Sequence, residues 1–181
     1  MAAQDLFVVG IGDYAISSDS AMTIATYGLG PCLGVAIYDE SSLLAGLGHF
    51  QLPLSLVHPN QDQMAPKRFV DTGLNLLIGD LILRGAELNR MRITVAGGAS
   101  SPNTPVRASM AGPIGVLNYK VFEKWMRKNG VQRWVADVGG DRPRTISIRV
   151  RDGHVDIRNS GSALTLLDSH PLPSFGKAGR A

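Results

Sequence analysis

The chain has 181 residues, 44% of them apolar and 18% charged, and a formal net charge of +3. That is enough chain for one domain with a real core, and short for two. The charge is too small and too scattered to argue for nucleic acid, and a single cysteine rules out an internal disulfide.

The N-terminus, Met1-Ala2-Ala3-Gln4-Asp5, lacks the basic start and long apolar run of a signal peptide. Residues 5–10 read as a first strand. Residues 21–27 and 32–38 are β-rich runs separated by Gly28-Leu29-Gly30-Pro31, and residues 43–50 follow the turn sequence Asp39-Glu40-Ser41-Ser42. Residues 53–66 read as a loop. From Pro66 to Arg84, Val70, Leu74, Leu77, Ile78, Leu81 and Ile82 fall at helical spacing, with Gly85 at the end. Residues 91–96 are a strand and 97–113 a loop.

A second helix is expected from Ile114 to Asn129, with Ile114, Leu117, Val121 and Trp125 as its apolar stripe. Lys120, Lys124, Arg127 and Lys128 near its end read as a solvated face, placed where the helix dipole favours cations. Residues 132–138, 144–151 and 154–158 are three closing strands, the last two joined by the hairpin signal Asp152-Gly153. No apolar run is long enough to cross a membrane. The expectation is one α+β domain over residues 1–165, a C-terminal tail at 166–181, and a cytoplasmic location.

Thr26, Cys32 and His49 are the candidate chemistry. A thiol nucleophile needs a base and a lowered pKa, and the base needs a third group to aim its ring. Pairing of 32–38 with 43–49 brings Cys32 and His49 together at the open end of a hairpin. Thr26 can then meet the imidazole through its hydroxyl or its carbonyl. Gly28 and Gly30 let main-chain amides approach the sulfur, as an oxyanion site requires. The blander readings stand beside this one. Cys32 heads the apolar run LGVAIY as a core cysteine would. His49 also reads as a half-buried, hydrogen-bonded histidine, and threonine favours strands in any case. Gly28-x-Gly30 lacks the rest of a dinucleotide fingerprint. His58, His154 and His170 are not at metal-ligand spacing.

The stretches IGDYAIS (11–17), TYGLGPCLGVAIYD (26–39), AGLGHFQLP (45–53), VAGGAS (95–100) and the long run from Ile114 to Ile148 resemble the CheD family of chemoreceptor glutamine deamidases. Thr26 to Pro53 is the specific part: a threonine, a Gly-x-Gly-x-Cys turn, then a histidine followed by Leu-Pro. Asp137, Gly139-Gly140 and Arg144-Thr145 also match.

The resemblance implies an α-β-β-α sandwich of mixed sheets with helices on the outside, similar to the cytotoxic necrotising factor deamidases. It implies Cys32 as nucleophile, His49 as general base and later acid, and Thr26 as the residue orienting the histidine. Gly28, Gly30, Gly97 and Gly98 are candidate oxyanion or substrate-loop positions. The implied reaction converts receptor glutamine to glutamate through a thioester, with glutamyl methyl ester hydrolysis open to the same machinery. No cofactor or metal is implied. The implied partners are the cytoplasmic helices of chemoreceptors and a CheC-type phosphatase of CheY-phosphate. The alternative is a weakly active relative that acts as a binding regulator of that phosphatase. The sequence departs from the family pattern at Pro31, Leu47, Ser101 and Leu117.

Overall fold

The computed structural model describes residues 5–57, 65–100 and 112–159. Nine strands and two helices follow in the order β1 (Asp5–Val8), β2 (Asp13–Ser17), β3 (Met22–Leu29), β4 (Leu33–Asp39), β5 (Leu44–Phe50), α1 (Val70–Leu83), β6 (Arg92–Gly97), α2 (Ile114–Lys128), β7 (Val135–Val138), β8 (Arg144–Arg149) and β9 (Val155–Asn159). Single 3-10 turns at Ser55–Val57, Pro66–Arg68 and Leu88–Arg90 join them. Strands β1-β3-β8-β9 form one sheet and β2-β5-β4-β6-β7 the other. Each is antiparallel except for one parallel pair, β1 with β3 and β6 with β7.

The two central strands of the larger sheet explain its position. β4 and β5 are buried along their whole length, because both of their faces are covered. One face carries Leu33, Val35, Ile37, Leu44 and Phe50 against Val70, Leu74, Leu77 and Leu81 of α1 and Phe122 and Met126 of α2. The other carries Ala36, Tyr38, Ala45 and Leu47 against Ile24, Leu29, Ile146 and Ile148 of the smaller sheet. Each fully buried aliphatic side chain contributes about 1.5–3 kcal/mol to folding. The α+β class is as expected. Among the described residues, however, both helices cover the same face of the larger sheet, so the described layers are sheet, sheet and a helix pair. The expected four-layer sandwich with helices outside both sheets is not what these residues form.

The β8–β9 hairpin turns at Asp152-Gly153 as its sequence suggests, with Gly153 at φ +66. The strand β2 was not legible, since its five residues are short and only half-buried. The first helix begins at Val70 rather than Pro66, after the 3-10 turn, and Ile82 is exposed instead of buried. The second helix is rotated by one position. Its buried stripe is Gly115, Asn118, Phe122 and Met126, while Ile114, Leu117, Val121 and Trp125 flank it. The cause is close backbone packing: a Cβ on Gly115 would stand 2.5 Å from Gly98 O, so only glycine fits there. The basic residues of α2 are exposed as expected. No described helix is long and apolar enough to cross a membrane. The tail expected from 166 lies outside the described residues.

Candidate active site

The register of β4 and β5 sets where Cys32 and His49 stand. The turn lies one residue later than the sequence suggests: Asp39 pairs with Leu44, and Leu43 takes a left-handed φ of +52. Asp39 holds that turn, buried and bonded to Ser41 N–H, Glu87 N–H and Arg90. His49 is therefore opposite Gly34, not Cys32. Cys32, two residues before Gly34, is its diagonal neighbour on the same face, because side chains alternate with period two. Between them Gly34 has no side chain, and none would fit: a Cβ would stand 2.6 Å from Ile146 Cγ2 and 2.7 Å from Leu29 Cδ1.

Thr26 reaches this face from the other sheet. It sits on β3, fully buried, where the ladder to β8 is irregular between Thr26 and Leu29. Its Oγ1 is 2.7 Å from His49 Nδ1 and 2.8 Å from Val9 O. A carbonyl oxygen only accepts, so the single hydroxyl hydrogen goes to Val9 O. Nδ1 must then carry a hydrogen and donate to Thr26 Oγ1. That leaves Nε2 with a free lone pair. Nε2 is buried and has no hydrogen-bond partner among the described residues. Gly12 N–H donates to His49 O at 2.8 Å and fixes the backbone beneath the ring.

Burial governs both titrations. It pushes the Cys32 thiol up to about 11, with only the residue's own N–H pulling the other way. It holds the His49 imidazole down to about 4. At neutral pH the free chain thus holds a neutral thiol and a neutral imidazole. The lowered pKa that a thiol nucleophile needs is thus not present in the free chain: Cys32 is only 7% exposed, and among the described residues no cation lies beside it to stabilise the anion. A thiol and a neutral Nε2 acceptor on one face can still exchange a proton at the moment of attack.

The glycines frame the sulfur rather than line an open anion hole. Gly98 N–H donates to Cys32 O, Ala99 N–H to Gly30 O and Ser100 N–H to Gly140 O, each at 2.8 Å. Gly97, at φ +111, passes so close that a Cβ there would stand 2.1 Å from Cys32 O. Gly30 N–H donates to Gly28 O at 2.8 Å. Gly30 and Gly98 therefore have no N–H to offer an oxyanion, which corrects that expectation for those two. The N–H of Cys32, which turns toward its own sulfur, remains. Pro31 offers none.

Two residues that sequence reasoning did not assign complete the surroundings. Arg144 bonds Asp137 Oδ1 at 3.0 Å, Gly139 O at 2.8 Å and Gly97 O at 3.4 Å, so it ties the smaller sheet to the segment that holds Cys32 O. Asn118 donates to Pro31 O at 2.8 Å and Gln51 O at 3.1 Å. Its signal was a polar residue, a poor helix former, inside a helix. Ser101 and His58 lie outside the described residues. Among the described residues, no group of three His, Cys, Asp or Glu side chains is placed to hold a metal.

The family model described as CheD chemotactic sensory transduction matches residues 51–159. The chain belongs to this family. That match begins two residues after His49, so it covers the frame of the CheD site and not Thr26, Cys32 or His49. Curated CheD relatives span more of the chain. A protein of Thermococcus kodakarensis called "Probable chemoreceptor glutamine deamidase CheD" is 36% identical over 83% of this chain and 90% of its own length. One of the same description from Solibacter usitatus is 31% identical over 91% and 95%. A "Probable chemoreceptor glutamine deamidase CheD 2" of Anaeromyxobacter dehalogenans is 34% identical over 89% and 99%. Among solved structures, the Bacillus licheniformis hypothetical protein YfiH matches with a TM-score of 0.39 and 13% identity, over 68% of this chain and 56% of that one. That likeness is too slight to bear on the CheD site.

Proposed function

We propose that this chain is a cysteine-dependent protein-glutamine deamidase acting on the cytoplasmic helices of chemoreceptors. The observation that carries the reading is the Thr26–His49 bond, which leaves a buried, unpartnered Nε2 lone pair on the face that Cys32 shares. The names of the CheD relatives supply the substrate class.

In this reading the Cys32 S–H passes its proton to His49 Nε2 as sulfur attacks the carboxamide carbon. A C–S bond forms and the carbonyl electron pair moves to oxygen, toward the Cys32 N–H. The pair returns, the C–N bond breaks, and ammonia leaves with the proton from Nε2. A thioester remains. Water then gives a proton to Nε2 and attacks the same carbon. The C–S bond breaks, the sulfur regains its proton, and glutamate leaves. Nδ1–H bonded to Thr26 keeps the ring in the tautomer that both halves require. A glutamyl methyl ester fits the same steps, with methanol as leaving group. The reading includes a cytoplasmic location and a fold likeness to the cytotoxic necrotising factor deamidases. The test is ammonia release from a glutamine-bearing receptor cytoplasmic fragment. Cys32→Ala should abolish it, and unchanged release would remove the proposal.

A second reading is favoured by one observation. The Cys32 thiol is buried and held at about 11. A weakly active relative that regulates a CheC-type phosphatase by binding it would tolerate such a resting state. Calorimetry that detects no heat of binding to that phosphatase would remove it.

A further inference from the structure

We propose that Asn118 is a positioning residue for the Cys32–His49 pair, acting through the backbone carbonyls of Pro31 and Gln51. The proposal rests on the reading of that pair given above. β4 and β5 run in register as far as Leu33 and Phe50. One residue further the ladder opens. Pro31 has no N–H to offer across the gap. Gln51 and Leu52 N–H both donate to Arg68 O, at 2.8 and 3.2 Å, and Leu52 O accepts from Val70 N–H at 2.8 Å. The chain after β5 has turned toward the start of α1. Two carbonyls are stranded at this fork, one on the peptide that leads into Cys32 and one two residues past His49.

The Asn118 amide takes both. Its Nδ2 stands 2.8 Å from Pro31 O and 3.1 Å from Gln51 O. Carbonyl oxygens only accept, so these contacts fix which end of the amide is nitrogen. The side chain is fully buried, and its Oδ1 has no partner among the described residues. A half-satisfied amide is a costly choice for a core position. Phe122 and Met126, on the same buried stripe, show that apolar side chains fill this face of α2. What asparagine adds is a link of fixed length between the strand that leads from Cys32 and the strand that carries His49, at the point where the ladder stops setting their separation. Diagonal neighbours lie about 7–8 Å apart, so splaying at the fork decides whether sulfur reaches Nε2. A misplacement of about 1 Å can slow a reaction about a hundredfold.

The experiment uses the full chain with Asn118→Ala and the isosteric Asn118→Asp, each with and without His49→Ala. Three readouts are needed: thermal unfolding, kcat and KM for ammonia release from a receptor fragment, and the rate of iodoacetamide alkylation at Cys32. The expected result is a kcat lowered about tenfold or more with KM nearly unchanged, together with alkylation that no longer responds to His49→Ala. A folded variant with wild-type kcat, a change in KM alone, or alkylation that still depends on His49 overturns the proposal. Failure of both variants to fold also overturns it, since Asn118 would then serve the fold. If alkylation of the wild type ignores His49→Ala, the Cys–His reading itself falls. The two failures are thus distinct.

Discussion

Thr26 Oγ1 lies 2.7 Å from His49 Nδ1 and at the same time 2.8 Å from Val9 O, so one hydroxyl hydrogen fixes the tautomer of a histidine on the opposite sheet. Thr26→Val keeps the volume and removes the hydroxyl. It leaves Val9 O and Nδ1–H buried without partners, at a cost of about 1–3 kcal/mol. Ammonia release should fall about tenfold or more, the size expected when a base loses its orientation. Thr26→Ser should keep most activity. Equal rates for the valine and serine variants would contradict the role.

The pH dependence follows from His49. Its folded pKa is lowered to about 4 from the usual 6.5, so between those values the unfolded chain binds more protons than the folded one. Stability should therefore fall as pH drops from 6.5 to 4, by at most about 3 kcal/mol from this group. His49→Gln should flatten that part of a melting-temperature profile. The acid limb of kcat/KM for the free chain should lie near 4 rather than 6.5.

Two glycines beside the nucleophile should respond differently to alanine. Gly97→Ala puts a Cβ against Cys32 O at a φ of +111, and should cost about 2 kcal/mol or more and displace Cys32. Gly30→Ala meets nothing within 4 Å and should be nearly neutral in a denaturant melt. Similar losses at both positions would count against this account of the Cys32 turn.

Arg144 reaches Asp137 and three carbonyls from one guanidinium. Lysine offers a single ammonium and cannot span them. Arg144→Lys should cost about 2 kcal/mol, below the usual figure for a broken buried pair because Asp137 is part-exposed. Chemical denaturation measures this directly.

Much of this was legible. Alternating strands, Gly85 and the Asp152-Gly153 hairpin carry local signals that the fold obeys. The β4–β5 hairpin that carries Cys32 and His49 forms, but in a different register. The sequence places the closing pair at Tyr38 and Leu43, whereas Asp39 pairs with Leu44; His49 therefore slips by two residues, from Cys32 to Gly34, and an even slip preserves the face. What stayed hidden depends on other elements. The stripe of α2 is set by backbone crowding at Gly115, not by hydrophobic period. The engaged N–H of Gly98 belongs to a loop-to-turn contact with Cys32 O that no local pattern encodes. The raised thiol pKa comes from the smaller sheet closing over Cys32.

The central claim is that Cys32 attacks glutamine with His49 as base. Acid quenching of the chain with a receptor fragment, followed by intact-mass analysis, tests it most directly. The account predicts a covalent adduct at Cys32 that has lost ammonia, absent in Cys32→Ala and scarce in His49→Ala. Receptor deamidation by the Cys32→Ala chain, with no adduct on the wild type, would contradict it.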